Sequence, residues 1–350
     1  MKKTPPVSTR RRALLTLLLL ALLGLASLFV ALAAGSIAVT PGDMLAALFG
    51  SGGIDSAHGA HSPHSLAAEV VRELRLPRAL AAFACGGLLA LAGALMQVLL
   101  RNPLADPYVL GISGGAAVGA LGAMLAGLPL LFVNGGAFAG ALGAMLLVFG
   151  LARGEGAWTQ TRLLLTGVIV AAGCGAAAAL ILSVAQEQAL RGMLFWLMGD
   201  LAHAGAPWPA LALLALALAL AAPFARDLNL LARGDLTARA LGVPVARLRG
   251  GVYLLASLAT ATAVTAAGSI GFVGLVVPHL TRLAIGNDQR VLLPAAALAG
   301  GALLTLADTL ARTVVAPQQL PVGVLTALIG VPLFLFLLAR SQKTMGTPGP

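Results

Sequence analysis

Eight stretches of this chain contain no lysine, arginine, aspartate or glutamate: residues 13–42, 79–100, 107–152, 163–186, 201–225, 250–281, 291–307 and 313–339. A helix needs about 20 such residues to cross the hydrocarbon layer of a bilayer. Most of the runs fit one crossing, 107–152 is long enough for two, and 250–281 fits one and a half. Only 10% of the 350 residues are charged, whereas a soluble globule carries about 25%. The expectation is an all-α polytopic membrane protein, one transmembrane domain over residues 1–350. Its spans fall near 13–34, 76–100, 108–127, 131–152, 163–184, 206–224, 250–268, 272–285, 291–312 and 321–340.

The cations between the runs test this division. With the N-terminus inside, the cytoplasmic gaps hold Lys2, Lys3, Arg10, Arg11, Arg12, Arg101, Arg153, Arg162, Arg226, Arg233, Arg239, Arg247, Arg249, Arg282, Arg290, Arg340 and Lys343. The outer gaps keep Arg72, Arg75, Arg78, Arg191 and Arg312. That asymmetry is the one that orients helices in a membrane, and removing one span would reverse it downstream. Both termini are therefore expected in the cytoplasm. The net charge of +10 does not indicate a nucleic-acid binder, because no basic face of a soluble domain gathers it. The apolar stretch from Ala13 to Ala34 exceeds the roughly 7–15 residues of a signal-peptide core, so it is read as an uncleaved first span. Cys85 and Cys174 lie within spans and are expected to be structural.

Three segments outside the spans have a pattern of their own. Thr40 and Pro41 suit the cap and first position of a short outer helix. Residues 185–205 read as a second one, with Phe195 and Trp196 at the interface. The segment 226–249 is amphipathic, broken by Gly234 and by Gly242–Pro244, and reads as two short helices lying across the cytoplasmic face. Within the spans, small residues such as Gly136 and Gly140 predict close helix packing.

Nothing in the sequence resembles an engine. A phosphate-cradling loop requires G-x-x-x-x-G-K-[ST], and the only lysines are Lys2, Lys3 and Lys343. "GISGG" at 111–115 lacks the flanking strand of a nucleotide fingerprint and reads as packing. No nucleophile–base pair or carboxylate pair of an enzyme is present. Proton coupling requires ionisable groups in the bundle, and Asp308 with Arg312, one helical turn apart, sits near an outer end. His279 reads as a residue at an inner helix end and His203 as interfacial. His58, His61 and His64 have a spacing that could hold a transition metal, without a carboxylate or cysteine to support it.

The segment "RLPRALAAFACGGLLALAGALMQVLLRNPLADPYVLGISGGA" (75–116) resembles the permease subunits of ABC importers for iron–siderophore complexes, haem and cobalamin. "LLARGDLTARALGVP" (230–244), "GSIGFVGLVVPHLTRLAIGNDQR" (268–290) and "LADTLAR…LPVGVLTALIGVPLFLFLL" (306–338) agree in order. The resemblance implies a ten-span type II importer permease fold of two inverted-repeat halves, in the bacterial inner membrane. It implies a homodimer, with two separate ATPase subunits below and a substrate-binding protein above. It implies no catalysis and no cofactor in this chain, ATP and magnesium being used by the ATPase. Asn102, Leu104, Gln160 and Thr161 would form a cytoplasmic gate. Gly234, Asp235, Ala238, Arg239, Leu241 and Gly242 would meet the ATPase, and Arg75, Arg78 and Arg312 would dock the binding protein. The resemblance favours an iron chelate as cargo over haem or cobalamin. An ion-coupled secondary carrier is the alternative, and it would need buried acids in mid-span.

Overall fold

The computed structural model describes residues 9–35, 39, 40, 42, 44, 47, 67–152, 160–202 and 204–345. Pro41, His58, His61, His64 and His203 lie outside these. The described residues form helices and turns, with no strand among them. In chain order they are α1 (Thr9–Ala33), α2 (Leu76–Leu99), α3 (Ile112–Leu125), α4 (Leu130–Ala152), α5 (Gln160–Val184), α6 (Glu187–Met198), α7 (Trp208–Ala221), α8 (Ala225–Ala232), α9 (Asp235–Ala240), α10 (Val245–Ala267), α11 (Val273–Ile285), α12 (Gln289–Thr313) and α13 (Val322–Met345). Seven helical segments are long and apolar enough to cross a membrane, and α3, α11 and the first part of α13 are shorter apolar helices. Among the described residues these are ten apolar helices in all.

The bundle is organised around α2. Almost every side chain from Ala81 to Leu99 is buried, and α12, α10, α11 and α7 surround it. Small residues make this possible. Gly86 on α2 lies against the backbone of Gly300 on α12, so a Cβ on Gly86 would meet the Gly300 carbonyl and, at 2.7 Å, Leu304 Cβ. Lipid gives apolar helices no reason to associate, so backbone contact of this kind supplies the attraction. Gly136 and Gly140 on α4 do the same work against Gly119 and Gly115 on α3. Hence "GISGG" is a packing surface, its Gly115 seated on Gly140.

Several boundaries move from their sequence positions. Helical structure before α2 begins at residue 67, passing through a π-helical turn at Val70–Arg75. Pro77 follows immediately, and its ring would press on the carbonyl of the preceding turn in an unbroken α-helix. The wider turn relieves that contact, and it draws Arg72 and Arg75 onto the helix. At the other side, α10 starts at Val245, so Arg247 and Arg249 lie in its first turns rather than in a separate cytoplasmic segment. The two short helices expected before it are α8 and α9. Within 185–205, where a short helix was expected, α6 covers Glu187–Met198. Beyond Thr40, Met44 N donates to the Thr40 carbonyl at 3.1 Å, and Met44 and Ala47 pack with Leu32 and Val71.

Candidate gate and coupling surface

Helix α2 ends in a Schellman motif. Arg101 N donates to the Val98 carbonyl and Asn102 N to the Gln97 carbonyl, both at 3.2 Å. The residue at the turning point normally needs a left-handed backbone, which favours glycine. Here it is Arg101, at φ 47°, a conformation that costs an L-residue about 1–2 kcal/mol. Its side chain explains why glycine is not there. Arg101 NH2 donates to Gln160 Oε1 at 3.2 Å, and Arg101 NH1 lies 3.9 Å from Asp235 Oδ1. One guanidinium therefore joins the end of α2, the start of α5 and the start of α9.

The four residues expected to form a gate lie around this point. Gln160 Nε2 donates to the Leu99 carbonyl at 3.0 Å, one of the carbonyls left open by the end of α2. Asn102 Oδ1 accepts from Leu104 N at 2.9 Å, closing a tight turn that leaves Leu104 exposed. Thr161 is exposed beside Gln160. The structure thus brings Gln160 into contact with the α2 terminus and leaves Leu104 and Thr161 facing outward from this chain. Two residues on, Asp106 caps the turn that opens the next span, accepting from Tyr108 N at 2.8 Å. Burial pushes its carboxyl up to about 6, against the lowering effect of that hydrogen bond.

The coupling candidates form one small projection. Gly234 sits at φ 122°, a backbone that L side chains rarely adopt, and lets α8 turn sharply into α9. Asp235 Oδ1 accepts from Arg249 NH2 at 2.8 Å, fixing α9 to the start of α10. Ala238 is buried against the bundle, while Arg239, Leu241 and Gly242 are exposed. Leu236 is 85% exposed, so α9 and the residue after it display two leucines beside an arginine. Sequence reasoning missed Leu236, Arg101 and Arg249. Leu236 could have been found from its spacing to Arg239 on the same face of a short helix.

At the opposite end, the three arginines expected to dock a partner turn inward. Arg75 is 5% exposed and donates through NH1 to the carbonyls of Leu32 at 2.8 Å and Ala33 at 3.2 Å. Arg312 NH2 reaches the Ala31 carbonyl at 3.1 Å. These carbonyls belong to the last turn of α1, where positive charge is favoured. Arg78 grips Asp308 through Nε at 3.0 and 3.1 Å and NH2 at 2.8 Å, and its NH1 donates to Gln319 Oε1 at 2.8 Å. Arg312 Nε lies 3.3 Å from Asp308 Oδ2. Asp308 and Arg312 therefore pair within one helix, and Arg78 joins them from α2. His279 lies within α11 and meets the Phe334 ring edge-on, with centroids 6.3 Å apart.

Among the described residues, then, the chain is a tightly packed bundle of apolar helices, with a buried polar knot at one end and a projecting short helix at the other. The chain belongs to the FecCD transport family, whose model matches residues 19–340. It is 46% identical to the hemin transport system permease protein HmuU of Yersinia pestis over 282 residues, 77% of this chain and 83% of that protein. It is 37% identical to the vitamin B12 import system permease protein BtuC of Escherichia coli over 337 residues, 95% of this chain and 98% of the relative. A solved structure described as an inward-facing conformation of a metal-chelate type ABC transporter superposes with a TM-score of 0.80 at 30% identity. It covers 93% of this chain and 98% of its own.

Proposed function

We propose that this chain is the membrane-spanning, non-catalytic subunit of an ATP-driven importer that carries a metal chelate into the cytoplasm across the inner membrane. It works as a homodimer with two ATPase subunits beneath it and a substrate-binding protein above, and has no cofactor of its own. The relatives carry haemin, vitamin B12 and, in a ferric dicitrate permease of Escherichia coli 44% identical over 279 residues, an iron chelate. We assign this chain to the iron-chelate end of that range.

The observation that carries the ATP-driven reading is α9. A six-residue helix pinned at one end by Asp235–Arg249 and displaying Leu236, Arg239 and Leu241 is a rigid lever with an apolar, basic contact face. Force applied there reaches the ends of α2 and α5 through Arg101, and packed helices respond to such force by switching position rather than bending. Asn102, Leu104, Gln160 and Thr161 lie where that motion ends, which supports their role as the gate. On the outer face, Arg78 and Arg312 keep slight solvent contact and can meet acids of a binding protein. Arg75, being buried, supports them from beneath.

In proteoliposomes holding permease, ATPase and binding protein, Asp235→Ala with Arg239→Ala should abolish uptake while ATP hydrolysis continues. Unchanged uptake in that double variant would overturn the coupling role. Uptake by the chain without any ATPase would instead establish an ion-coupled carrier.

A further inference from the structure

A cavity of about 650 Å³ opens at the cytoplasmic end between the terminus of α2, helix α8 and the α11–α12 junction, and its walls include Gln97, Arg101, Arg233, Arg282, Asp288 and Gln289. Three of these are cationic and one is anionic. The anion is already engaged: Asp288 Oδ1 accepts from Asn229 Nδ2 at 2.8 Å and from Arg290 N at 3.1 Å. Arg233 and Arg282, in contrast, make no ion pair or side-chain hydrogen bond with any described residue. Two buried amides point the same way. Gln97 is 3% and Gln289 2% exposed, and the Oε1 atom of each is buried without a hydrogen-bond partner. Their Nε2 atoms are occupied, donating to the Leu275 carbonyl at 3.2 Å and the Asn287 carbonyl at 3.3 Å. Exchanging the amide oxygen and nitrogen would lose those bonds, so both oxygens still need donors.

We propose that this cavity is a binding site for a hydroxylated or protonated phosphate group, held by Arg233 and Arg282 with Arg101 as a third contact. A carboxylate has two coplanar oxygens and matches one guanidinium fork. Guanidiniums approaching from three separate elements match a tetrahedral anion with oxygens on several sides. The orphaned amide oxygens then receive an O–H, either from a monoprotonated phosphate or from a hydroxyl next to a phosphoester. Inorganic phosphate and the glycerol-phosphate headgroup of phosphatidylglycerol share this chemistry. A bound phosphate would cross-tie α8, the end of α2 and the base of α11, so occupancy would stiffen the joint between the projecting helix and the gate. The inference does not depend on which chelate is transported.

The test uses the full-length chain in neutral detergent and in nanodiscs. Phosphate is titrated against chloride at matched ionic strength while the melting temperature is followed, since a ligand held only by the folded state raises it with concentration. In parallel, native mass spectrometry counts phosphatidylglycerol retained from nanodiscs of phosphatidylglycerol and phosphatidylcholine. Stabilisation by phosphate identifies a free anion as the source, and selective retention of phosphatidylglycerol identifies the headgroup. Arg233→Gln with Arg282→Gln should weaken either effect by roughly tenfold or more, as expected for losing two charge-assisted contacts, and Arg282→Lys alone should weaken it less. The proposal is overturned if the wild type shows neither effect, or if the double variant retains either one undiminished. Phosphate also stabilises proteins by exclusion from their surface, so if the double variant does not fold, a loss of the effect in Arg282→Lys decides for the site and an unchanged effect overturns it.

Discussion

Replacing Asp308 by alanine should be among the most damaging single changes at the outer end of the bundle. Its carboxylate is 2% exposed and receives two guanidiniums, bidentately from Arg78 and at 3.3 Å from Arg312. Hydrogen bonds to a charged group contribute about 1.5–3 kcal/mol each. Removing one partner of a buried pair typically costs 3–5 kcal/mol, because the remaining charge stays buried. The two arginines each keep other acceptors, Gln319 for Arg78 and the Ala31 carbonyl for Arg312, which holds the expected loss to about 3–4 kcal/mol. Unfolding entropy of about 2.1 cal/mol/K per residue makes that a fall of roughly 5 °C in melting temperature for a chain of this size. Asp308→Asn, which preserves an acceptor of the same shape, should lose about half as much. The assay is thermal unfolding in detergent followed by a thiol-reactive dye or by size-exclusion chromatography. Raising salt from about 0.1 to 0.5 M should leave the difference unchanged, because buried charges escape screening. If Asp308→Ala melted within about 1 °C of the wild type, or if its deficit vanished in high salt, the network would be a surface decoration and the reasoning would fail.

Other outcomes follow from geometry already described. Arg101→Gly removes the unfavourable backbone at φ 47° and should leave stability unchanged or raise it by about 0.5–1 kcal/mol, yet uptake per ATP hydrolysed should fall; a variant that transports normally would remove Arg101 from the coupling route. Gly300→Val should disrupt α2–α12 packing, because the added side chain meets Ala90 Cβ at 2.5 Å and the Gly86 backbone; expression with a wild-type melting curve would contradict the close approach. For Asp106 the folded carboxyl titrates near 6, above its ordinary 3.8. Its neutral form is therefore favoured by folding, and the contribution to stability is complete below pH 4 and lost as pH rises through 6. Asp106→Asn should accordingly gain on the wild type as pH rises from 4 to 7, by up to about 3 kcal/mol at 1.36 kcal/mol per pH unit; a constant difference across that range would refute the assignment.

The spans were legible because charge in lipid is so costly that its absence marks them directly. The two short helices α8 and α9 were legible from their glycines: Gly234 and Gly242 stand in left-handed backbone, which glycine alone adopts freely. The outer arginines were not. Arg78 and Asp308 are 230 positions apart, and no local pattern reports a contact between α2 and α12, so exposed docking charges and a buried knot read alike in sequence. Arg101 was hidden in the opposite way. Its motif "RNPLADP" was conspicuous, but only the Schellman geometry shows an arginine where glycine belongs. The cavity beside it draws on residues 97–103, 229–233 and 282–289, a grouping that no single stretch of chain discloses.

The last turn of α1 depends on Arg75 and Arg312 as donors to its carbonyls at Ala31, Leu32 and Ala33. Chains are built N-terminal part first, so α1 receives one of its two clasps long after it has been made. Until the ninth crossing arrives, that helix remains loosely fastened at its outer end. The anchoring of α1 is thereby tied to the arrival of a helix some 280 residues downstream.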